Sequence, residues 1–299
     1  MVHQHQPNIR SNDTFQVYQH TKKWKLIFTI SITLIVMIIE VVGGYWIHSI
    51  ALISDAGHMF THLFALGIGY AAIVCMSFKS CHHRTYGFYR AEILAALFNS
   101  LFLFGVTIFI CYESIRRLLR PHEILSWQMF SIALLGLIVN LISIWILHGA
   151  HHQDDRNIRG IVLHMFADAG SSAAIVIGAI IMSFTGWYII DPIISIGIAV
   201  LIAVWAWDLF KDSINVLLET APKGITTDEV AKRIEQEISE VINVEDIHIW
   251  EITTHMFSMT AHILIKDISV KDTALIREKI NKLVYDQYEI GHTTIQFRS

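Results

Sequence analysis

Residues 50–77 read IALISDAGHMFTHLFALGIGYAAIVCMS, a run with one formally charged residue, Asp55, and two histidines, His58 and His62. About 20 consecutive apolar residues carry a helix across a bilayer, so this stretch is long enough to span. Five more stretches of the same kind occur, at about 25–47, 91–115, 127–148, 160–184 and 190–210. The expected membrane part is a six-helix transmembrane bundle within residues 25–218. A polar segment, 1–24, precedes it without the pattern of a cleavable signal peptide.

Composition agrees with a membrane protein carrying a soluble tail. The 299 residues are 54% hydrophobic and 16% charged, against about 25% charged in an ordinary soluble domain. Of the 48 charged residues, 23 lie in residues 219–299. That division excludes a single soluble globule and a disordered chain. Cys75, Cys81 and Cys111 have neither metal-type nor disulfide-type spacing, and a net charge of −4 gives no basis for nucleic-acid binding. An even number of spans puts both termini on one side. Lys22, Lys23 and Lys25, then Lys79, Arg84 and Arg90, then Arg156 and Arg159 make that side cytoplasmic. Arg116, Arg117 and Arg120 alone point the other way.

From Glu219 the pattern changes. Val230, Ile234, Ile238 and Val241 form one apolar stripe, which predicts a helix over 226–242. Alternation predicts strands at 247–253 and 259–266 around a polar turn, Thr253–Ser258. A second helix near 272–288 and a strand at 292–297 complete an α-β-β-α-β order, a small two-layer α+β domain at 219–299. Pro222 and Gly224 mark the hinge before it.

Ionisable side chains inside a membrane helix are costly and usually line a pathway or a site. His58 and His62 stand four apart in the second span, and His164 and Asp168 four apart in the fifth. Residues four apart share a helix face, so two helices can bring both pairs to one cluster. Three imidazoles and a carboxylate suit tetrahedral zinc and also accept cobalt or nickel. Asp55, one turn before His58, reads as a helix–helix hydrogen-bonding or entry residue, with an accessory ligand as the alternative. Glu40, Asn140, Asp191 and Asp208 read as packing, capping or interface groups, with Asp191-Pro192 as a helix start.

These pairs, the stretch Thr85-Tyr86-Gly87-Phe88-Tyr89-Arg90-Ala91-Glu92-Ile93-Leu94-Ala95-Ala96-Leu97-Phe98-Asn99, and Ile247-His248-Ile249-Trp250 in the tail resemble the cation diffusion facilitator family. The resemblance covers roughly residues 20–299. It implies a homodimer in the cell membrane (inner or plasma), with a ferredoxin-like cytosolic domain and both termini in the cytoplasm. It implies export of divalent transition metals, most often Zn2+, in exchange for protons, and a part in metal resistance. Carried over by position, the transport site is His58, His62, His164 and Asp168. Zinc members usually have Asp where this chain has His62, and a His-x3-His pair resembles a branch associated with Co2+ and Ni2+. The substitution leaves the four ligands with a charge of about −1, and the added nitrogen disfavours Mg, Ca and Mn.

Further histidines lie outside the spans. His82 and His83 follow Cys81, and His148, His151 and His152 precede Asp154 and Asp155 in a short histidine-rich loop, a place to gather metal at the pore mouth or a solvated loop. By resemblance, Glu245, His262 and His292 align with cytosolic metal sites that tighten the tail-to-tail contact, with zinc as a regulatory ion. His248 belongs to the strand motif, and Arg90, Glu92 and Asn99 read as an interhelical or loop-anchoring network. Two other classes stand beside the antiporter. A membrane-bound zinc enzyme calls for a His-Glu-x-x-His helix, which the sequence lacks. A metal-regulated channel would show flux without proton coupling.

Overall fold

A run of apolar side chains satisfies its backbone in lipid only by coiling into helices. In the computed structural model, which describes residues 23–76, 86–148, 156–266 and 270–298, the described apolar runs before residue 218 do so. The helices are α1 Lys23–Ile47, α2 Ile50–Met76, α3 Arg90–Leu119, α4 Ser126–His148, α5 Arg156–Thr185 and α6 Ile190–Leu217. Among the described residues, four are long and apolar enough to cross a membrane: α3, α4 from Ser126 to Trp145, α5 from Phe166 to Thr185, and α6. The chain divides into two compact units, one of residues 8–68 with 98–208, the other of 69–97 with 209–299.

The first unit is a bundle with an inverted surface. Ile108, Trp145 and Phe184 face outward, while Ser54, Ser172, Ser195, Glu40 and Asp191 are fully enclosed. Lipid accepts the former, and the latter need partners within the protein. The most heavily bonded point is the α1–α2 corner. His48 takes a left-handed conformation, φ 63°, and Ser49 N–H bonds Gly44 carbonyl at 2.9 Å, which closes α1 in a Schellman turn. Ser49 then opens α2, its Oγ accepting from Leu52 N–H at 3.2 Å.

Asp191 completes that cap from another helix. Its carboxylate accepts from Ser49 Oγ at 2.5 Å, Ile50 N–H at 2.9 Å and Ala51 N–H at 3.2 Å. Arg117 of α3 donates to His48 carbonyl and pairs with Glu113 at 3.2 Å. The expectation that Asp191 caps its own helix is therefore corrected. It lies inside the first turn of α6 and caps the N-terminus of α2, where free N–H groups and the helix dipole favour an anion. Helices α3 and α6 also run past their expected ends at 115 and 210. In α3 the pairs Glu113–Arg116 and Glu113–Arg117 support the extra turn.

In the second unit the tail folds as α7 Thr227–Glu237, β1 Val241–Thr253, β2 Met256–Ile265, α8 Val270–Tyr288 and β3 Ile290–Arg298. Thr226 caps α7 by accepting from Glu229 N–H at 3.3 Å. The sheet order is β1-β2-β3, antiparallel between β1 and β2 and parallel between β2 and β3. Met259, Ala261, Ile263 and Ile265 of β2 point alternately inward against Val230 and Ile234 of α7 and Ile276, Ile280 and Val284 of α8.

The element order is as expected, but two boundaries move. The apolar stripe of 226–242 belongs to two elements, because α7 stops at Glu237 and Val241 begins β1. Between them the turn Ser239–Glu240 is anchored by Lys266, which donates to Ser239 and Glu240 carbonyls at 2.8 and 3.1 Å. The hairpin between β1 and β2 is also tighter than expected, turning on Thr254 and His255 with His255 at φ 59°. Within the same unit, that turn grips the start of α3: Thr254 Oγ1 donates to Glu92 Oε1 at 2.9 Å, and Thr253 Oγ1 to Glu92 Oε2. Arg90 reaches Glu219 at 2.7 Å. Arg90 and Glu92 are thus anchoring residues, as read from the sequence.

Two outcomes follow. Asp191→Ala removes the outer cap of α2 and is expected to lower stability by about 2 kcal/mol, measured by thermal unfolding in detergent. An unchanged melting temperature would show that Ser49 caps α2 alone. In the tail, hydrogen bonds from Lys279 and Ser239 hold Glu240 down from 4.5 to about 2. Its contribution is therefore fully present above the ordinary carboxylate range and is lost as pH falls toward 2. Lys279→Met is expected to return Glu240 toward its ordinary value, read by side-chain carboxyl NMR.

Candidate metal centre

Every functional side chain in the bundle is placed by helix periodicity. In α2, residue 55 and residue 58 are one turn apart, and residue 62 follows one turn later. His58 is 2% exposed, and its Nδ1 stands 3.7 Å from Asp168 Oδ1 of α5. That is too long for a hydrogen bond. Two ligands of one tetrahedral zinc, at about 2.0–2.2 Å each, lie about 3.4 Å from one another, so the separation is close to what a shared ion requires. The ring of His58 also rests against Trp205 of α6, centroids 5.3 Å apart, which holds its rotamer.

The structure thus brings His58 and Asp168 together from two helices. The backbones of α2 and α5 carry His62 one turn after His58 and His164 one turn before Asp168. The side chains of His62 and His164 lie outside the described residues. Among the described residues, no group of three or more metal-ligating side chains occurs, and two of the four expected ligands are not in that set.

Asp55 bonds across helices. Its two oxygens accept from Ser171 Oγ at 2.6 Å and Ser172 Oγ at 2.9 Å, both on α5. Asn140 of α4 donates to Ser172 Oγ at 3.1 Å and to Asp168 carbonyl at 3.4 Å. Three helices are thereby locked around the Asp168 backbone, the kind of outer support that orients a ligand. Sequence reading put Asn140 among packing groups and passed over Ser171 and Ser172. Their signal was available in the four-residue step from Asp168 to Ser172, which puts a hydroxyl on the ligand's own face.

In the tail, strand register keeps the three residues named by resemblance apart within one chain. Glu245 is opposite His262 in the β1–β2 register, but His292 pairs with Ser258, and His262 with Gln296. His262 and His292 therefore sit at opposite ends of a five-residue stretch of β2. Glu245 lies 3.6 Å from Arg298. Arg298 also donates to His262 Nδ1 at 2.9 Å, which occupies that lone pair. The acid nearest His262 is Asp246, at 3.6 Å, which also bonds His248 at 3.1 Å. His292 contacts Tyr86, hydroxyl to Nε2 3.3 Å. Loop positions Cys81, His82, His83, His151 and His152, and the side chain of His148, lie outside the described residues.

Residues 26–218 match the cation efflux transmembrane domain, and residues 222–298 the cytoplasmic domain of cation efflux proteins. The chain belongs to the cation efflux family. Metal cation efflux system protein CzcD of Cupriavidus metallidurans is 42% identical over 265 residues, 87% of this chain and 82% of the relative. Zinc transporter ZitB of Escherichia coli is 34% identical over 296 residues, 99% and 92% of the two chains. The cadmium, cobalt and zinc/H(+)-K(+) antiporter of Bacillus subtilis is 34% identical over 265 residues, 88% and 85%. A cation efflux protein is an integral membrane transporter of metal ions and not an enzyme, and the zinc-enzyme reading falls away.

Within this cation efflux protein, replacing Ser171 and Ser172 together by Ala strips Asp55 of both hydroxyl donors. A buried carboxylate without donors costs about 1–3 kcal/mol. The double variant is expected to unfold at lower temperature in detergent by that amount. Wild-type stability would show that Asp55 is held elsewhere.

Proposed function

We propose that this chain exports Zn2+ from the cytosol in exchange for protons, at a site of His58, His62, His164 and Asp168. The observation that carries the reading is the approach of His58 and Asp168 across two helices to near the spacing of two ligands on one ion. Six spans over residues 25–218, both termini in the cytoplasm, and a ferredoxin-like tail at 219–299 belong to the same reading. Dimerisation through the tail is supported by the match to a cytoplasmic domain of the dimer-forming zinc-transporter type. Proton exchange is supported by the antiporter name of the Bacillus relative.

The chemistry follows from the ligand types. A metal binds neutral imidazole and ionised carboxylate, so protons and metal compete for the same atoms. The site loads from the cytosol, the helices rock, and protons on the far side displace the ion and return with the protein. With a ligand charge of about −1, a bound dication keeps net positive charge in a low-dielectric setting, which makes proton-driven release easier. Co2+ and Ni2+ form the second reading, on the single observation that His62 replaces the usual Asp and enriches the site in nitrogen.

Two measurements test this. His164→Ala and Asp168→Ala in reconstituted vesicles are each expected to reduce zinc-driven proton flux to the level of empty vesicles. Undiminished flux in both would remove the assignment. His62→Asp is expected to lower cobalt uptake relative to zinc by about tenfold, the effect of about 1.4 kcal/mol of differential binding, read with both radiolabelled ions. An unchanged ratio would show that residue 62 does not set selectivity.

A further inference from the structure

One buried acid in the bundle has no use in the proposed metal centre and no hydrogen-bond partner among the described residues. Glu40, on α1, is 0% exposed, and neither carboxylate oxygen has a hydrogen-bond partner among the described residues. It stands seven residues before the end of α1, about 10 Å along the helix axis. The space it fills is made for it. A Cβ on Gly136 of α4 would run into Glu40 Oε1, so the bare backbone of that glycine is what receives the carboxyl. A side chain at 136 would push the carboxyl out of its place.

Val36 of α1 lies beside the same glycine and belongs to an apolar cluster with Met37 on α1, Ala56 and Met59 on α2, and Val139 on α4. Helix α4 carries no titratable group among its described side chains. Helix α2 carries Asp55, held by Ser171 and Ser172, and one turn on His58, which faces Asp168 and Trp205. An isolated carboxylate in such a place is far costlier than the neutral acid.

We infer that Glu40 is a proton-binding site separate from the metal ligands, and that it carries its proton in this conformation. The contents of the cycle then follow, and this part rests on the proton-exchange reading. When the α1–α4 seam admits water, the Glu40 O–H bond breaks, the electron pair stays on the carboxylate and the proton leaves to water. The hydrated carboxylate must take up a proton again before the seam recloses on its apolar lining. Glu40 thus adds a proton to the count delivered by the histidines, and it does so without touching the metal.

The full chain in liposomes at neutral pH is examined by infrared spectroscopy as wild type minus Glu40→Gln. The expected difference is a carbonyl band of a protonated carboxylic acid that shifts in D2O; its absence overturns the inference. In proteoliposomes carrying a pH dye and radiolabelled zinc, Glu40→Gln is expected to move fewer protons per zinc than wild type while binding zinc with unchanged affinity. A wild-type ratio overturns the transport role. Should wild type move zinc without protons, the exchange reading fails while the infrared band still decides the site. If Glu40→Gln does not fold, Glu40→Asp replaces it: a displaced carboxylic acid band is expected, and a spectrum identical to wild type overturns the inference.

Discussion

An acid inside a membrane bundle must be given something to hold or be neutral, and the described part of this bundle is organised around four enclosed or half-buried acids. Asp191 is satisfied by two backbone N–H groups and a hydroxyl at the start of α2. Asp55 is satisfied by two serines of α5. Asp168 faces His58. Glu40 has the apolar seam and Gly136. Three of the four therefore tie α2 to another helix, since each anion finds its donors or partner across an interface. With no hydrophobic drive between helices in lipid, such polar ties and close packing do the work of association.

The cytosolic unit obeys the ordinary rules of a water-soluble core. Its apolar side chains point inward from α7, α8 and alternate positions of β2, and its charges pair near the surface, where each pair contributes little. What links it to a span is hydrogen bonding at one turn. The hydroxyls of Thr253 and Thr254 meet the carboxylate of Glu92 at the head of α3, next to the Arg90–Glu219 pair. A change in the β1–β2 hairpin is therefore felt at the start of α3 within the same compact unit.

Much of this was legible in residue order because it depends on local spacing. Run length marked the helices, and the four-residue steps at 58–62 and 164–168 marked the helix faces on which His58 and Asp168 meet. The tail's α-β-β-α-β order came from changes of period. The parts that were not legible depend on partners distant in sequence. Nothing beside Asp191 shows that its donors are Ser49, Ile50 and Ala51. Period alone does not separate Ile238 from Val241, because a helix ending and a strand beginning there keep the same buried side. The surroundings of the cytosolic histidines were not legible for a related reason: strand register sets His292 opposite Ser258, four residues from His262, and puts Arg298 on the His262 imidazole.

The ties also limit how the proposed metal centre can change its exposure. Helix α2 is joined to α5 beside the ligands through Asp55 and to α6 at its outer end through Asp191. Sliding α2 along α5 by one turn would strip Asp55 of both serines and leave a bare carboxylate in an apolar layer, and sliding it along α6 would uncap its N-terminus. Both moves are opposed by the desolvation of charge. His58 and Asp168 therefore travel as a pair, and water must reach them by movement of a helix with weaker attachments. Helix α1 fits that description on its α4 side. There the contacts are close and mediated by glycine, with Ile132 against Gly43 and Glu40 against Gly136, and among the described residues no hydrogen bond from Glu40 has to break for the seam to open.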